Sequence, residues 1–313
     1  MHNLIKEKKV AFRVVFIEND TFIKLKLENM ILNKNGEEIW IPLDDISMVV
    51  LDNMKITLTA RVLCSIAEHN IGLIICNQEH LPIGFYSSYD NHSRISKNIG
   101  YQIEKTQEYY DFYWKEIMEH KIANQCEVLE LLGKKDEVQN MMRNFIEELT
   151  EGDKTNREAH AAKVYFNELM GCSYSRGNED ILLNSGLDYG YAVIRAYIAR
   201  LCVGYGLNSQ LGIHHKNEYN RFNLIDDLIE PVRPFVDLLA YRLLAKEEYF
   251  TQEHRIKLVN LLNHKIIYKN KKMFMCNMLE EYIMQFAMLL AGKCESICYP
   301  SVKDYLGEED AAI

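Results

Sequence analysis

The hydrophobic pattern of this chain changes its period near residue 90, and this change constrains the fold more than any other feature. Before that point, apolar residues alternate or form short β-branched runs, which predicts strands. From about residue 95 they recur every three or four residues, which predicts long helices. The predicted strands cover residues 10–17, 21–27, 46–51, 72–76 and 81–86, with one helix over 57–70. The predicted C-terminal helices lie within 97–132, 155–170, 180–206, 234–248, 254–267 and 273–295.

A polar turn cluster over residues 87–93 is the best candidate for a domain boundary. We therefore predict an α+β protein with a small β-rich domain over residues 1–90, a linker over 91–98 and a larger, all-helical domain over 99–313. Asn35-Gly36 predicts a hairpin in the first domain, because both residue types tolerate the positive φ angles of a type I′ turn.

The net charge of −9 argues against a protein that coats nucleic acid without sequence preference, but it allows a local basic patch. One candidate is the acid-free stretch that contains Arg255, Lys257, Lys265 and Lys269, and a solvated basic helix face is the alternative. The eight cysteines include no C-x-x-C pair and are expected to be reduced and packed in the core. The polar N-terminus and the lack of a long apolar stretch predict a cytoplasmic protein without a membrane segment.

Three polar residues lie in segments that otherwise have the apolar pattern of buried helix: Glu158, His215 and Glu230. Glu158 begins an apolar helical face, so its carboxylate must cap the helix, face solvent or bind something. Thr155 and Glu158 have the spacing of a capping box, which would be a purely structural role. The small side chains of Ala161 and Ala162 instead leave room for a ligand beside the carboxylate.

The other two residues also have structural alternatives. Adjacent His214 and His215 point in different directions, so only one is expected to face a shared site, and either can be hydrogen-bonded structure. Glu230 follows two aspartates on the same helical turn, and these carboxylates repel each other unless a cation lies between them. Arg233 is one candidate for that cation, and a bound metal is another.

Two carboxylates and one imidazole from separate segments suit a hard divalent ion, Mg²⁺ or Mn²⁺, better than a structural zinc. Such an ion promotes hydrolysis or exchange of a phosphodiester bond. Local chemistry thus indicates a largely helical protein with a candidate hard-metal site, and it leaves the reaction open.

Several motifs occur in a characteristic order along nearly the whole chain. The first half contains I-P-L-D-D-I-S-M-V-V-L and I-G-L-I-I-C-N-Q-E-H-L-P-I-G-F-Y. The second half contains E-A-H-A-A-K-V-Y-F, G-L-N-S-Q-L-G-I-H-H and F-N-L-I-D-D-L-I-E-P-V-R-P. Together they resemble the CRISPR-associated integrase family, Cas protein one, whose members insert new spacers into CRISPR arrays. The pair H-H before N-E-Y-N-R-F-N-L looks most like the forms that accompany type II systems.

The resemblance implies that Glu158, His215 and Glu230 are the metal ligands and catalytic residues. It favours His215 over His214, because the family usually carries an apolar residue at the latter position. Family members also commonly have glycine where this chain has Ala159, but the preceding carboxylate is retained.

Two further residues receive supporting roles from the same resemblance. Tyr165 is expected to contact the DNA backbone or the reacting strand, and Asp227 is expected to support the metal through a water molecule.

The resemblance implies a metal-dependent DNA integrase and endonuclease of CRISPR adaptation, using Mg²⁺ or Mn²⁺. In this reaction the 3′-hydroxyl of incoming DNA attacks a phosphodiester of the CRISPR repeat. The implied partners are double-stranded and branched DNA (protospacer and repeat), a second copy of the chain, the small Cas protein two, a type II effector nuclease and an accessory adaptation protein. The β-rich domain would serve dimerisation and docking. The alternatives are a non-catalytic subunit that binds DNA ends and a metal-dependent nuclease that acts on RNA.

Overall fold

The chain divides into two compact units after Tyr89, within the predicted polar boundary. The computed structural model describes residues 13–34, 36–89, 92–171, 174–178 and 181–307. The predicted strand over 10–17 and the predicted Asn35-Gly36 turn therefore lie partly outside the described residues. The first helix after the boundary begins at Ile95, so the second half of the segment predicted as a linker is helical.

The described part of the first unit contains two four-stranded sheets and one α-helix. Its elements are β1 (Arg13–Ile17), β2 (Phe22–Lys26), β3 (Asn29–Lys34), β4 (Glu37–Pro42), β5 (Ile46–Leu51), β6 (Thr57–Leu58), α1 (Ala60–Glu68), β7 (Gly72–Cys76) and β8 (Pro82–Tyr86). One sheet has the order β1-β5-β7-β8, with β8 antiparallel to an otherwise parallel set. The other has the order β4-β3-β2-β6. The β3–β4 pairing confirms the predicted hairpin, with Lys34 opposite Glu37.

One hydrophobic core joins both sheets of this unit to α1. Every residue of β5 is buried, as expected for a strand between two parallel neighbours. Ile23 and Met30 from the second sheet and Val62 and Ile66 from α1 belong to the same core. Thr59 caps α1, because its side chain accepts a hydrogen bond from the Val62 N–H.

The second unit is mostly helical. Its elements are α2 (Ile95–Ile103), α3 (Gln107–Leu131), α4 (Asp136–Glu147), α5 (Arg157–Met170), α6 (Leu182–Gly204), α7 (Asn223–Leu228), α8 (Arg233–Leu244), α9 (Gln252–Asn260), β9 (Lys265–Tyr268), β10 (Lys271–Phe274), α10 (Met275–Leu290) and β11 (Tyr305–Gly307). The long helix α3 packs against α4, α5, α8 and the 3₁₀ turn Glu230–Val232. Among the described residues, no helix combines the length and the apolar character needed to cross a membrane.

The α+β fold class is confirmed, but the second unit is not wholly helical. Strands β9, β10 and β11 form a small sheet in the order β10-β9-β11. Lys269 and Asn270 form the β9–β10 turn with φ angles of 50° and 60°, the backbone that a tight hairpin requires. A 3₁₀ turn over Leu261–Asn263 continues α9, and the helical prediction over 254–267 is wrong after it, because pairing with the distant β11 outweighs local apolar spacing.

Two glycines allow α6 and α8 to pack closely. A Cβ atom on Gly186 would lie 2.3 Å from Leu244 Cδ1, and one on Gly190 would lie 2.5 Å from Val236 Cγ1. Both distances are far below van der Waals contact, so these two positions set the separation of the helices.

We expect Gly190→Ala to destabilise the protein by about 1–2 kcal/mol, because overpacking against the stiff Val236 side chain outweighs the gain in helix propensity. The measurement is the free energy of unfolding in urea. Gly100→Ala in α2 is the matched control, since nothing lies within 4 Å of its added Cβ, and it should be neutral or stabilising. Equal effects of the two substitutions would contradict a close α6–α8 contact.

Candidate active site

The ammonium of Lys121 lies between two of the three predicted metal ligands. Lys121 Nζ is 2.6 Å from Glu158 Oε1 and 2.6 Å from Glu230 Oε2. Lys121 comes from α3, Glu158 from the first turn of α5 and Glu230 from the 3₁₀ turn before α8. Because Lys121 and Glu230 are both buried, their charges must be compensated by partners of opposite sign.

The mutual pairing keeps these groups charged. Burial by itself lowers the pKa of Lys121, but the charges of Glu230 and Glu158 outweigh this effect and raise the pKa. Burial raises the pKa of Glu230, but the charges of Lys121 and Arg233 outweigh it and lower the pKa. The site therefore contains an ionised carboxylate below the protein surface.

Each oxygen of Glu230 lies beside a different cation. Arg233 Nε donates to Glu230 Oε1 over 2.9 Å. The pairing of Glu230 with Arg233 that the sequence offered as an alternative is therefore present. Glu230 Oε2 is buried and, within the described residues, has no hydrogen bond of normal geometry despite the nearby ammonium. Asn124 of α3 fixes the adjoining backbone by donating to the Pro231 carbonyl over 2.7 Å.

Glu158 does not take part in a capping box. The side chain of Asp153 caps α5, accepting hydrogen bonds from the N–H groups of Arg157 at 2.8 Å and Glu158 at 2.9 Å. The helix begins at Arg157 rather than near Thr155. Asn156, directly before the helix, has a left-handed backbone conformation. The carboxylate of Glu158 is thereby free of a capping role and lies against Lys121.

Asp227 holds the histidine loop in place. Its carboxylate accepts hydrogen bonds from the backbone N–H groups of Ile213, His214 and His215, and it lies 2.6 Å from His215 Nδ1. The hydrogen bond to Asp227 raises the pKa of His215, although burial opposes the shift. With Nδ1 engaged, Nε2 is the ring nitrogen available to a ligand. Asp227 thus contacts His215 directly, and its expected support of a metal through a water molecule stays a prediction.

The two adjacent histidines have different surroundings, as the sequence predicted. The His214 ring stacks on Trp114 of α3, with centroids 4.3 Å apart and planes 4° apart. His215 meets the same indole edge-on, with centroids 5.7 Å apart. His214 therefore has a packing role against Trp114, whereas the His215 ring is oriented by its hydrogen bond to Asp227.

Gly212 is a functional residue that the sequence analysis missed. A Cβ at this position would lie 2.2 Å from the His215 carbonyl oxygen and 2.9 Å from Asp227 Oδ2. Only glycine allows the chain to fold back this closely over the Asp227 carboxylate. The glycine of the L-G-I-H-H motif was the available signal.

Lys121 was also missed, although the sequence contained a signal for it. It lies on the buried face of α3 with Trp114, Ile117 and Met118, at helical spacing. A lysine within an apolar stripe requires a charged partner, because long cationic side chains are rarely buried alone.

The three acids of the 226–230 turn avoid mutual repulsion by pointing to different partners. Asp226 pairs with Arg195 Nη2 at 2.6 Å, Asp227 with the histidine loop, and Glu230 with Lys121 and Arg233. The charge pattern of this turn therefore reflects three separate contacts rather than one shared cation.

The predicted ligands are brought into one region but are not arranged as a ready metal cage. Within the described residues, no three His, Cys, Asp or Glu side chains lie close enough together to hold a metal ion. Glu158 and Glu230 share one cation, and Glu230 contributes to the raised pKa of His215. Two carboxylates and one imidazole nevertheless fit a hard divalent ion in donor chemistry, and the buried Glu230 Oε2 beside Lys121 is one of these carboxylate oxygens.

The sequence-based role for Tyr165 conflicts with its position. Tyr165 is completely buried, so its hydroxyl has no exposed surface for DNA. Burial and the charge of Asp237 raise its pKa well above the ordinary value. Asp237 is itself buried and accepts a hydrogen bond from the Tyr191 hydroxyl. Glu158 and Tyr165 share one face of α5, and this face is buried in the core from Ala161 onward.

The predicted basic patch is not a single helix face. Arg255 is buried, and Lys257 lies beside it on α9, paired with Glu253. Lys265 belongs to β9 and lies over the Phe274 ring, and Lys269 lies in the β9–β10 turn. A buried guanidinium cannot contact DNA, so Arg255 does not fit the DNA-binding role expected for it.

Comparison with known proteins places this fold in a defined group. A protein from Neisseria meningitidis serogroup C (strain 8013), CRISPR-associated endonuclease Cas1, is 35% identical over 234 residues, which are 75% of this chain and 76% of that protein. Among solved structures, a casposase bound to integration product has a TM-score of 0.76 and 16% identity over 95% of each chain. A Cas1 protein from Thermotoga maritima has a TM-score of 0.70 and 18% identity over 91% of this chain and 100% of that one. Cas6-RT-Cas1–Cas2 complex has a TM-score of 0.69 and 16% identity over 90% of this chain and 35% of the other.

These structures share the arrangement of a β-rich unit followed by a mostly helical one, which is the fold of the present chain. The model of the family described as CRISPR associated protein Cas1 matches residues 14–266. The chain belongs to this Cas1 family, as the sequence motifs predicted.

We expect the stability of this protein to depend on pH through Asp237. Burial raises the pKa of Asp237 to about 6. The native state therefore retains a proton that the unfolded chain has released, and stability falls as pH rises from about 4 through 6. Asp237→Asn removes this loss. The unfolding free energy of the parent, minus that of the variant, should fall by about 1–3 kcal/mol between pH 4 and 7. A difference independent of pH would contradict the shifted pKa.

We expect Gly212→Ala to loosen the histidine loop, because the new methyl group would collide with the His215 carbonyl and the Asp227 carboxylate. Hydrogen exchange of the Ile213 and His215 amides should become faster, with a loss of about 1–3 kcal/mol in unfolding free energy. Gly177→Ala is the control, since its Cβ has nothing within 4 Å. Unchanged exchange at both amides would show that the loop tolerates the methyl group.

Proposed function

We propose that this protein is a metal-dependent DNA integrase and endonuclease that inserts new spacer DNA into a CRISPR array. Membership of the Cas1 family supports the proposal. The observation that carries it is the convergence of Glu158 and Glu230, from distant segments, on one cation beside the His215 loop. Paired acids with an adjoining imidazole are suited to phosphodiester chemistry.

The roles of the residues follow from their contacts. Glu158 and Glu230 would hold Mg²⁺ or Mn²⁺ through carboxylate oxygens, and His215 through Nε2. Asp227 orients the imidazole and fixes its tautomer by engaging Nδ1. A divalent ion held there would polarise the scissile phosphate and stabilise negative charge on the departing 3′ oxygen.

The proposed reaction is a transesterification. The 3′-hydroxyl of incoming DNA loses its proton as its oxygen bonds to phosphorus at the repeat end. The bond from phosphorus to the departing 3′ oxygen breaks, and that oxygen takes up a proton and leaves as a hydroxyl, so the proton count is unchanged. One phosphodiester replaces another, so no nucleotide hydrolysis is required. The same site acts as an endonuclease when water takes the place of the attacking hydroxyl.

We further propose that the protein works in the cytoplasm as a homodimer with Cas2 on protospacer and repeat DNA. One of the solved structures that share this fold is described as a Cas6-RT-Cas1–Cas2 complex, which supports Cas2 as a partner. The first unit would then serve dimerisation and docking. The Neisseria relative and the H-H-K-N-E-Y-N motif favour a type II setting, with the effector nuclease and an accessory adaptation protein as further partners.

We expect Glu158→Gln, His215→Ala and Glu230→Gln each to reduce strand transfer by about 100-fold or more, because each removes a metal ligand. The assay resolves a branched DNA substrate and its products on a denaturing gel, with Mg²⁺ or Mn²⁺, and with and without Cas2. Each variant is first checked for its unfolding midpoint and its oligomeric state.

Two neighbouring substitutions are matched controls. Asp226→Asn changes an acid of the same turn that pairs with Arg195, and His214→Ala changes the histidine stacked on Trp114. Both should retain most of the activity. Normal DNA binding without product under either metal would instead indicate a DNA-end-binding subunit. Cleavage of RNA but not of DNA would indicate a ribonuclease.

A further inference from the structure

The ammonium of Lys121 occupies the space between the carboxylates that would hold a divalent ion. Its nitrogen lies at the same 2.6 Å from one oxygen of Glu158 and one oxygen of Glu230. A divalent ion that bridged these two oxygens would need the same position. Two cations cannot share it, because their repulsion at such short range is strong in a partly buried site.

The arrangement is built into the interior of the second unit. Lys121 is 7% exposed, and its position on the buried face of α3 directs the side chain toward α5 and the 230–232 turn. The other Glu230 oxygen already accepts from Arg233. Lys121 is therefore the group that neutralises the space between the two acids.

We propose that Lys121 is an internal counter-cation that a divalent ion must displace from Glu158 and Glu230 when it binds. This inference rests on the metal site of the proposed function. In the absence of the divalent ion, the ammonium holds the two acids together against their repulsion. During metal binding it opposes the incoming ion, so the site binds metal more weakly than its two carboxylates alone would.

The proposal makes two opposite predictions for one substitution. Replacing Lys121 by a neutral residue should destabilise the protein, because two acids are left without their shared partner. It should also tighten metal binding, because the competing charge is gone. A lysine with a merely structural role would give the first effect with unchanged or weaker metal binding, since damage to a site does not improve its affinity.

The experiment compares the parent protein with Lys121→Met and Lys121→Gln. Free Mn²⁺ is measured by electron paramagnetic resonance during titration, and the unfolding midpoint is measured with and without Mn²⁺. Lys121→Gln remains able to hydrogen-bond to both acids and keeps the test available if the methionine variant does not fold. Lys134→Met is the matched control, because Lys134 is half-buried but contacts the Leu169 carbonyl and the Tyr241 hydroxyl rather than carboxylates.

We expect at least about tenfold tighter Mn²⁺ binding in both Lys121 variants. Without metal, the unfolding midpoint should be lower by about 10 °C in Lys121→Met, and Mn²⁺ should recover much of that loss. Lys134→Met should bind Mn²⁺ like the parent. Equal or weaker Mn²⁺ affinity in both Lys121 variants, with binding intact in the parent, would overturn the displacement proposal alone. Absence of Mn²⁺ binding in the parent and in every variant would overturn the metal site and the proposal together.

A double substitution separates charge from packing. Adding Glu158→Gln to Lys121→Met restores the charge balance that the single change disturbs. The double variant should recover part of the lost stability while losing the gain in Mn²⁺ affinity. Additive losses of stability would contradict a direct interaction between the ammonium and Glu158.

Discussion

The buried charge of Lys121 is the constraint on which the arrangement of the second unit depends. A lysine ammonium removed from water must be matched by opposite charge, and here the match comes from α5 and from the turn before α8. Further contacts connect Glu230's other partner, Arg233, to α6 and α8. Arg233 lies 4.5 Å over the Tyr191 ring, and the Tyr191 hydroxyl bonds to Asp237. One charged cluster thus connects α3, α5, α6 and α8.

Helix α3 organises the site although it contributes none of the predicted ligands. Three residues at helical spacing on this helix contact different parts of the site. Trp114 packs against both histidines, Lys121 pairs with both acids, and Asn124 fixes the backbone beside Glu230. A long, well-packed helix is a rigid support for side chains whose relative positions must be accurate. Of the predicted ligands, Glu158 and Glu230 lie at the starts of helical elements and His215 lies in a loop, where backbone geometry can be adjusted.

The three candidate ligands differ in how far their side chains are exposed to solvent. The side chain of Glu230 is 8% exposed and lies at the base, whereas those of Glu158 and His215 are 33% and 43% exposed. Solvent therefore reaches the site from the side of Glu158 and His215, and in the proposed function a DNA strand would approach from that side. Glu230 is the most buried of the three and is held by both Lys121 and Arg233.

The sequence alone determined the β-rich and helical halves, the family, and the chemical identity of Glu158, His215 and Glu230 as candidates. These properties are carried by local period, residue type and motif order, which a linear pattern contains. Only the tertiary structure decided that Asp153 caps α5, that Tyr165 is buried and that β9 forms a sheet with β11. It also decided that Lys121 stands between the two acids, 37 residues from Glu158 along the chain. Such long-range contacts depend on how helices cross and how distant strands pair, and local periodicity carries no information about either.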